Sequence, residues 1–221
     1  MIKFKSIIFD FDGVILDSAN LKLEAFVEVY RQEEEAKRRS VREYARLYGG
    51  VSRRVKFEYF ERSLFERTAD EKTIDLLCSN YGDIVDDQIQ RADFISGALE
   101  SIAILHRYCK LHVVSGAPHD DLSRIIDDRK IRAFFTMIAG APKSKFVAFK
   151  EILEADYVVA SDVLAIGDSL TEFEAANELG IPFLAVVPDP AEDPFPQAVR
   201  KIADLRDLVA VASKWDLADA I

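Results

Sequence analysis

The chain has 221 residues, 49% of them apolar and 31% charged, with 29 Lys+Arg against 39 Asp+Glu for a formal charge of −10. That apolar content offsets the entropy of ordering and excludes a disordered chain, and the acidic balance argues against nucleic acid, whose phosphates are bound through Lys and Arg. No uninterrupted apolar stretch approaches the roughly 18 residues of a membrane helix. The first apolar run, Ile7 to Phe9, meets Asp10 too soon to be a signal peptide, so no membrane partner and a cytoplasmic location are expected. Cys78 and Cys109 are too few and too far apart for a disulfide framework or a zinc pair, and both read as reduced core thiols. The length allows one full domain with a modest insertion, and says nothing of oligomeric state.

Along the chain, Lys5 to Asp12 packs consecutive β-forming apolar residues, as a strand buried on both faces would. Residues 19–92 read differently. Leu23, Phe26, Val29 and Tyr30 share one helical face, followed by Tyr44, Leu47 and Tyr48 and then by Phe57, Phe60, Leu64 and Phe65. This segment holds 14 Lys+Arg and 15 Asp+Glu, so nearly all of the net negative charge lies outside it. Three further strand-like runs follow: Leu111 to Ser115, Asp162 to Asp168, and Phe183 to Pro188. Stretches of helical spacing separate them, including Leu99, Ile102, Ala103 and Leu105, then Phe146, Phe149, Ile152 and Leu153. Strands alternating with helices predict an α/β fold, a doubly wound parallel sheet of Rossmann-like type, built from residues 1–18 and 93–221 with a helical insertion at 19–92. Pro188 to Pro196, with four prolines, reads as a surface loop leading to a terminal helix that carries Trp215 as a core or edge contact.

In an open parallel sheet, ligands bind where the carboxyl ends of the strands meet. There the sequence places Asp10 and Asp12, then Ser115-Gly116, then Gly167-Asp168-Ser169 with Glu172 four residues after Asp168, while Lys143 and Lys145 precede a helix starting near Phe146. Carboxylates packed this closely repel one another unless a cation neutralises them, and hard oxygen donors suit Mg²⁺ completed by a phosphate. A small phosphorylated metabolite is the expected partner. Asp10 is the candidate nucleophile toward phosphorus, and Asp12 the group that protonates the leaving oxygen and then activates water. The Ser115 hydroxyl can donate to a phosphoryl oxygen, and Gly116 admits the backbone N–H without a Cβ in the way. His119, beside Asp120 and Asp121, reads as a surface residue.

In order and spacing, Phe9-Asp10-Phe-Asp12-Gly13-Val14-Ile-Leu-Asp17-Ser18, Val114-Ser115-Gly116, Lys145 and Gly167-Asp168-Ser169-x-x-Glu172 resemble the four motifs of the haloacid-dehalogenase-like hydrolase superfamily. The resemblance spans nearly the whole chain. It implies Asp10 as nucleophile, Asp12 as acid/base, Mg²⁺ on Asp10, the Asp12 backbone carbonyl and Asp168, and the phosphate on Ser115 and Lys145. It also implies that the inserted helices are a cap closing over the substrate. Asp12 separates the chain from the dehalogenase branch, which has no carboxylate there. Two positions depart from the pattern or leave it open. Glu172 stands where Asp is usual, so its extra methylene shifts any metal contact outward. The lysine is ambiguous between Lys143 and Lys145, although Gly140-Ala-Pro-x-x-Lys145 fits a subgroup pattern and favours Lys145.

Between Lys37 and Lys56 eight basic residues face one acid, Glu43. Most such runs are solvated helix faces. The paired glycines Gly49-Gly50 point instead to a loop over the site, with Arg53 gripping a second anionic group of the substrate, and Gly-Gly-x-Ser-Arg resembles a sequence seen in caps of this superfamily. The expected function is Mg²⁺-dependent hydrolysis of a small phosphate ester, such as a sugar phosphate, through an aspartyl-phosphate. A phosphomutase of the same superfamily and a non-catalytic phosphate-binding module are the alternatives.

Overall fold

A computed structural model describes residues 2–215. Six parallel strands form one sheet in the order β3-β2-β1-β4-β5-β6, so the predicted doubly wound architecture holds. Central strand β1 (Ser6–Phe9) is buried along its whole length. It pairs on one side with β2 (Lys110–Pro118), Ile7 opposite Leu111, and on the other with β4 (Val163–Gly167), Ile7 opposite Leu164. Burial on both faces is why its sequence is continuously apolar rather than alternating. Ile7 and Phe9 pack into one core together with residues of α5 (Ala98–Leu105), α6 (His119–Asp128) and α9 (Leu208–Lys214). Ile8 turns to the other face, packing with α7 (Lys145–Asp156) and α8 (Leu170–Leu179).

Two strands are additional to those read from the sequence. β3 (Met137–Ala141) forms one edge, and β6 (Arg200–Ile202) pairs with β5 (Phe183–Val186) at the other. The proline-rich stretch therefore leads into an edge strand before the terminal helix, not directly into that helix. Trp215 is buried against Phe4 at 5.6 Å between ring centroids, as expected of a core contact.

Between β1 and α5 the chain forms α1 (Ala19–Val29), α2 (Glu35–Leu47), α3 (Arg53–Tyr59), a π-helical turn over Phe60–Leu64, and α4 (Glu71–Ile89). Their predicted apolar faces meet in an aromatic cluster: Phe26 lies 5.2 Å from Phe57 and 4.3 Å from Tyr81, and Tyr44 stacks on Tyr59 at 3.9 Å. This cluster is continuous with the sheet core on the α5, α6 and α9 face. No helix among the described residues is long and apolar enough to cross a membrane.

Candidate active site

The strand order reverses between β1 and β4, and the crevice at the carboxyl ends of such strands is where a doubly wound sheet takes its ligand. Asp10 stands there. Its backbone N–H donates to the Ile166 carbonyl at 2.9 Å, which prolongs the β1–β4 ladder by one residue and fixes its position. Asp10 Oδ1 accepts the Phe11 N–H at 2.8 Å, and Oδ2 lies 3.0 Å from Lys145 Nζ. Beyond it the chain folds back through a tight turn, with Gly13 at φ 76° donating its N–H to the Leu16 carbonyl at 2.8 Å. A side chain at Gly13 would run into the Asp168 carboxylate, so the turn needs glycine on both counts. This turn holds Asp12 beside the crevice, where its Oδ1 accepts from Ser18 Oγ at 2.6 Å and its Oδ2 from Lys22 Nζ at 2.5 Å. Ser115 Oγ stands 3.5 Å from Asp12 Oδ2.

Lys145 opens α7 behind a Ser144 N-cap, and its side chain is buried between Asp10 and Glu172. Lys143 is on the surface, paired with Glu151. Geometry therefore separates the two lysines that the sequence left open. Glu172 commits both oxygens: Oε1 to Lys145, and Oε2 to the Ser169 N–H at 2.9 Å and the Ser169 hydroxyl. The second set closes a capping box on α8, so Ser169, not Asp168, caps that helix, and Asp168 is left facing the crevice.

Oxygens of Asp10, Asp168 and Glu172 can lie within 4.8 Å of one another. Burial pushes the Asp10 carboxyl up to about 7 against the pull of Lys145, with Glu172 and Asp12 adding to the rise, and burial with the Asp10 charge raises Asp168 well above the carboxylate range. Burial alone would depress the Lys145 ammonium, but Asp10 and Glu172 outweigh it and hold Lys145 above the usual lysine range. Two carboxyls held back from ionising, Asp10 buried and Asp168 half-buried, with oxygen-only donors, are a set that a hard divalent cation fits, because its charge restores the ionised form that desolvation disfavours.

The helices of residues 19–92 supply the opposite wall of a cavity of about 450 Å³ lined by Asp10, Asp12, Ser115 and Asp168 on the sheet side. The Gly49-Gly50 loop between α2 and α3 lies directly on the strand ends. Gly50 N–H donates to Ser169 Oγ at 3.2 Å, and a Cβ on Gly116 would run into the Gly50 carbonyl, 2.9 Å from its carbon. Gly116 is required by this approach of backbone, and a Cβ on Gly50 would run into the Glu172 and Thr171 side chains. Arg53 lines the cavity too, but its guanidinium donates to Asp121 Oδ2 at 2.8 Å, across from the first turn of α6. His119 is exposed, in keeping with a surface reading.

Sequence reading missed Lys22 and Lys56, which both line this cavity. Lys22 carried a signal, its place one α1 turn after Ser18. Lys56 was merged into the basic run, five of whose other members, Lys37, Arg38, Arg42, Arg53 and Arg54, form ion pairs with acidic neighbours.

Among curated proteins none matches the chain. Similar solved structures include a predicted phosphoglycolate phosphatase from Haemophilus somnus 129PT (16% identity, TM-score 0.73, covering 96% of this chain and 99% of that one). CbbY from Rhodobacter sphaeroides in complex with phosphate is similar at 18% identity and TM-score 0.72, covering 98% and 99%. A putative β-phosphoglucomutase from Bacteroides vulgatus is similar at 19% identity and TM-score 0.75, covering 97% and 92%. These likenesses show a shared fold. The model of the haloacid dehalogenase-like hydrolases matches residues 7–186, from β1 through β5. With that span and the site order just described, the chain belongs to the haloacid dehalogenase-like hydrolase family and is an enzyme of that class.

Proposed function

We propose that the protein is a Mg²⁺-dependent phosphohydrolase that cleaves the phosphate ester of a small metabolite, a sugar phosphate or similar, through an aspartyl-phosphate on Asp10. The contact of buried Lys145 with Asp10 Oδ2 at 3.0 Å, next to a second carboxylate held apart on Asp12, carries this reading. Mg²⁺ held by Asp10, the Asp12 backbone carbonyl and Asp168 supplies charge neutralisation for the carboxylates and the phosphoryl group. Glu172 supports the site through Lys145, since both of its oxygens are already committed.

In this mechanism Asp10 attacks phosphorus while Lys145 and the Ser115 hydroxyl neutralise the phosphoryl oxygens. As substrate enters, Asp12 gives up its Lys22 contact and takes a proton from solvent; it passes that proton to the leaving oxygen and then recovers one from the water that cleaves the acyl phosphate. The two carboxylates stand in different surroundings: Asp10 is buried against the Lys145 ammonium, while Asp12 at the cavity edge accepts from a hydroxyl and from Lys22, which substrate must displace before Asp12 can carry a proton. The helices of residues 19–92 act as a cap, with the Gly49-Gly50 loop excluding water above the phosphate.

The test is phosphate release from a panel of phosphorylated metabolites, with Mg²⁺ and with a chelator. Release that requires Mg²⁺ is expected. Isomerisation without release would instead assign a phosphomutase, and binding without turnover a phosphate-binding module.

A further inference from the structure

Of the lysine and arginine side chains that line the cavity, Lys22 is paired with Asp12 and Arg53 with Asp121, and Arg46 is exposed. Lys56 differs from all three. Its residue is only 4% exposed, and no carboxylate pairs with it among the described residues. Its one hydrogen bond there runs from Nζ to the Gly49 carbonyl at 2.8 Å, and the ring of Phe26 lies 5.0 Å from the charge. An ammonium has three N–H donors, so two are left without a protein acceptor. A buried cation without a counter-charge is costly, and such a group is normally completed by an anion. The carboxylates whose charge reaches it do not fill that place: Asp12 is held by Lys22 and Ser18, and Glu172 by Lys145 and Ser169.

We propose that Lys56 is the residue of the cap that selects substrates, binding an anionic group on the leaving-group side of the phosphate ester, either a carboxylate or a second phosphate. This rests on the phosphohydrolase reading for the reaction, and assigns to Lys56 the recognition of a second anion for which the sequence pointed to Arg53. Burial pushes the Lys56 ammonium down to about 7, with Lys22 and Lys145 adding to the fall and Asp12 and Glu172 opposing it. An arriving anion restores its charge. Because the same ammonium holds the Gly49 carbonyl, and Gly50 rests on Ser169, occupation of Lys56 also secures the loop that covers the phosphate.

Two matched pairs of probes test the assignment. 3-Phosphoglycerate and glycerol 1-phosphate differ in a carboxylate against a hydroxymethyl group, and glucose 1,6-bisphosphate and glucose 1-phosphate differ in the second phosphate. For each pair, kcat/KM is measured with Mg²⁺, and affinity by titration calorimetry with the metal chelated. The wild type is expected to prefer the anionic member of at least one pair, and the pair identifies the anion. In Lys56→Met that preference falls at least tenfold; release of the Gly49 carbonyl lowers both members together, so the ratio between them is the readout. Lys56→Arg keeps the charge and the preference. A wild type without preference in either pair overturns the assignment even if no variant folds, and so does a Lys56→Met enzyme that loses both members in proportion, since a purely structural lysine would do that. If no probe is hydrolysed but the Lys56-dependent preference persists in binding, the phosphohydrolase reading fails and the assignment stands.

Discussion

Glu172 joins two parts of the site that would otherwise be independent: one oxygen completes the N-cap of α8, and the other shares the buried Lys145 ammonium with Asp10. Removing it costs a helix cap and half of the counter-charge of a buried cation. Glu172→Ala is therefore expected to destabilise the metal-free protein by about 2–4 kcal/mol in urea unfolding and to lower phosphate release at least tenfold. A carboxylate serving only as a metal ligand would leave metal-free stability unchanged. Asp10, raised to about 7, and Asp168, raised well above its ordinary value, keep protons in the fold that the unfolded chain loses near 3.8. Through these two groups, the metal-free fold loses stability as pH climbs from about 4 toward 7, and a bound cation recovers it by favouring the ionised forms. Other groups titrate as well: His112, buried and lowered, acts in the opposite sense at acid pH. The difference between Mg²⁺ and chelator isolates the site. The rise in melting temperature on adding Mg²⁺ should grow from about pH 5 to pH 8, and a constant or shrinking rise would contradict the account.

At the scale of elements, the contact between the Gly49-Gly50 loop and the strand ends leaves no room for a side chain on Gly50 or Gly116. Gly116→Ala puts a methyl group into the Gly50 carbonyl, and Gly50→Ala puts one against Glu172 Oε1 with Thr171 Cβ at 2.9 Å. Either change should hold the loop off the site and lower kcat/KM by two orders of magnitude or more, with a melting temperature within a few degrees of wild type, because neither glycine lies in the main core. Four strands, the helical segment and the carboxylates at the strand ends were legible in the sequence, because continuous apolar runs and helical spacing are local signals. β3 and β6 were not. Met137-Ile-Ala-Gly-Ala is short and carries a glycine, and Arg200-Lys-Ile is charged and half-buried; both are edge strands, which tertiary pairing rather than pattern defines. Lys56 was hidden for a related reason. Its neighbours in the basic run are solvated or paired, and only the packing of α3 over the crevice buries this one.

At the scale of the whole molecule, the helices of residues 19–92 wall the cavity on one side and the strand ends on the other. The Arg53–Asp121 pair spans them, with both side chains half-buried. A double-mutant cycle on Arg53→Ala and Asp121→Ala should return a coupling of about 0.5–1 kcal/mol in stability, and no coupling would mean that the pair does not hold the closed arrangement. The central claim is that a buried Asp10, neutralised by Lys145, attacks phosphorus. The most direct measurement is mass spectrometry of acid-quenched enzyme after mixing with the best substrate of the panel and Mg²⁺. The account predicts a phosphoryl mass increment on the peptide that carries Asp10, sensitive to hydroxylamine and lost in Asp10→Asn together with turnover. Turnover that persists in Asp10→Asn, or an increment on another peptide, would contradict it.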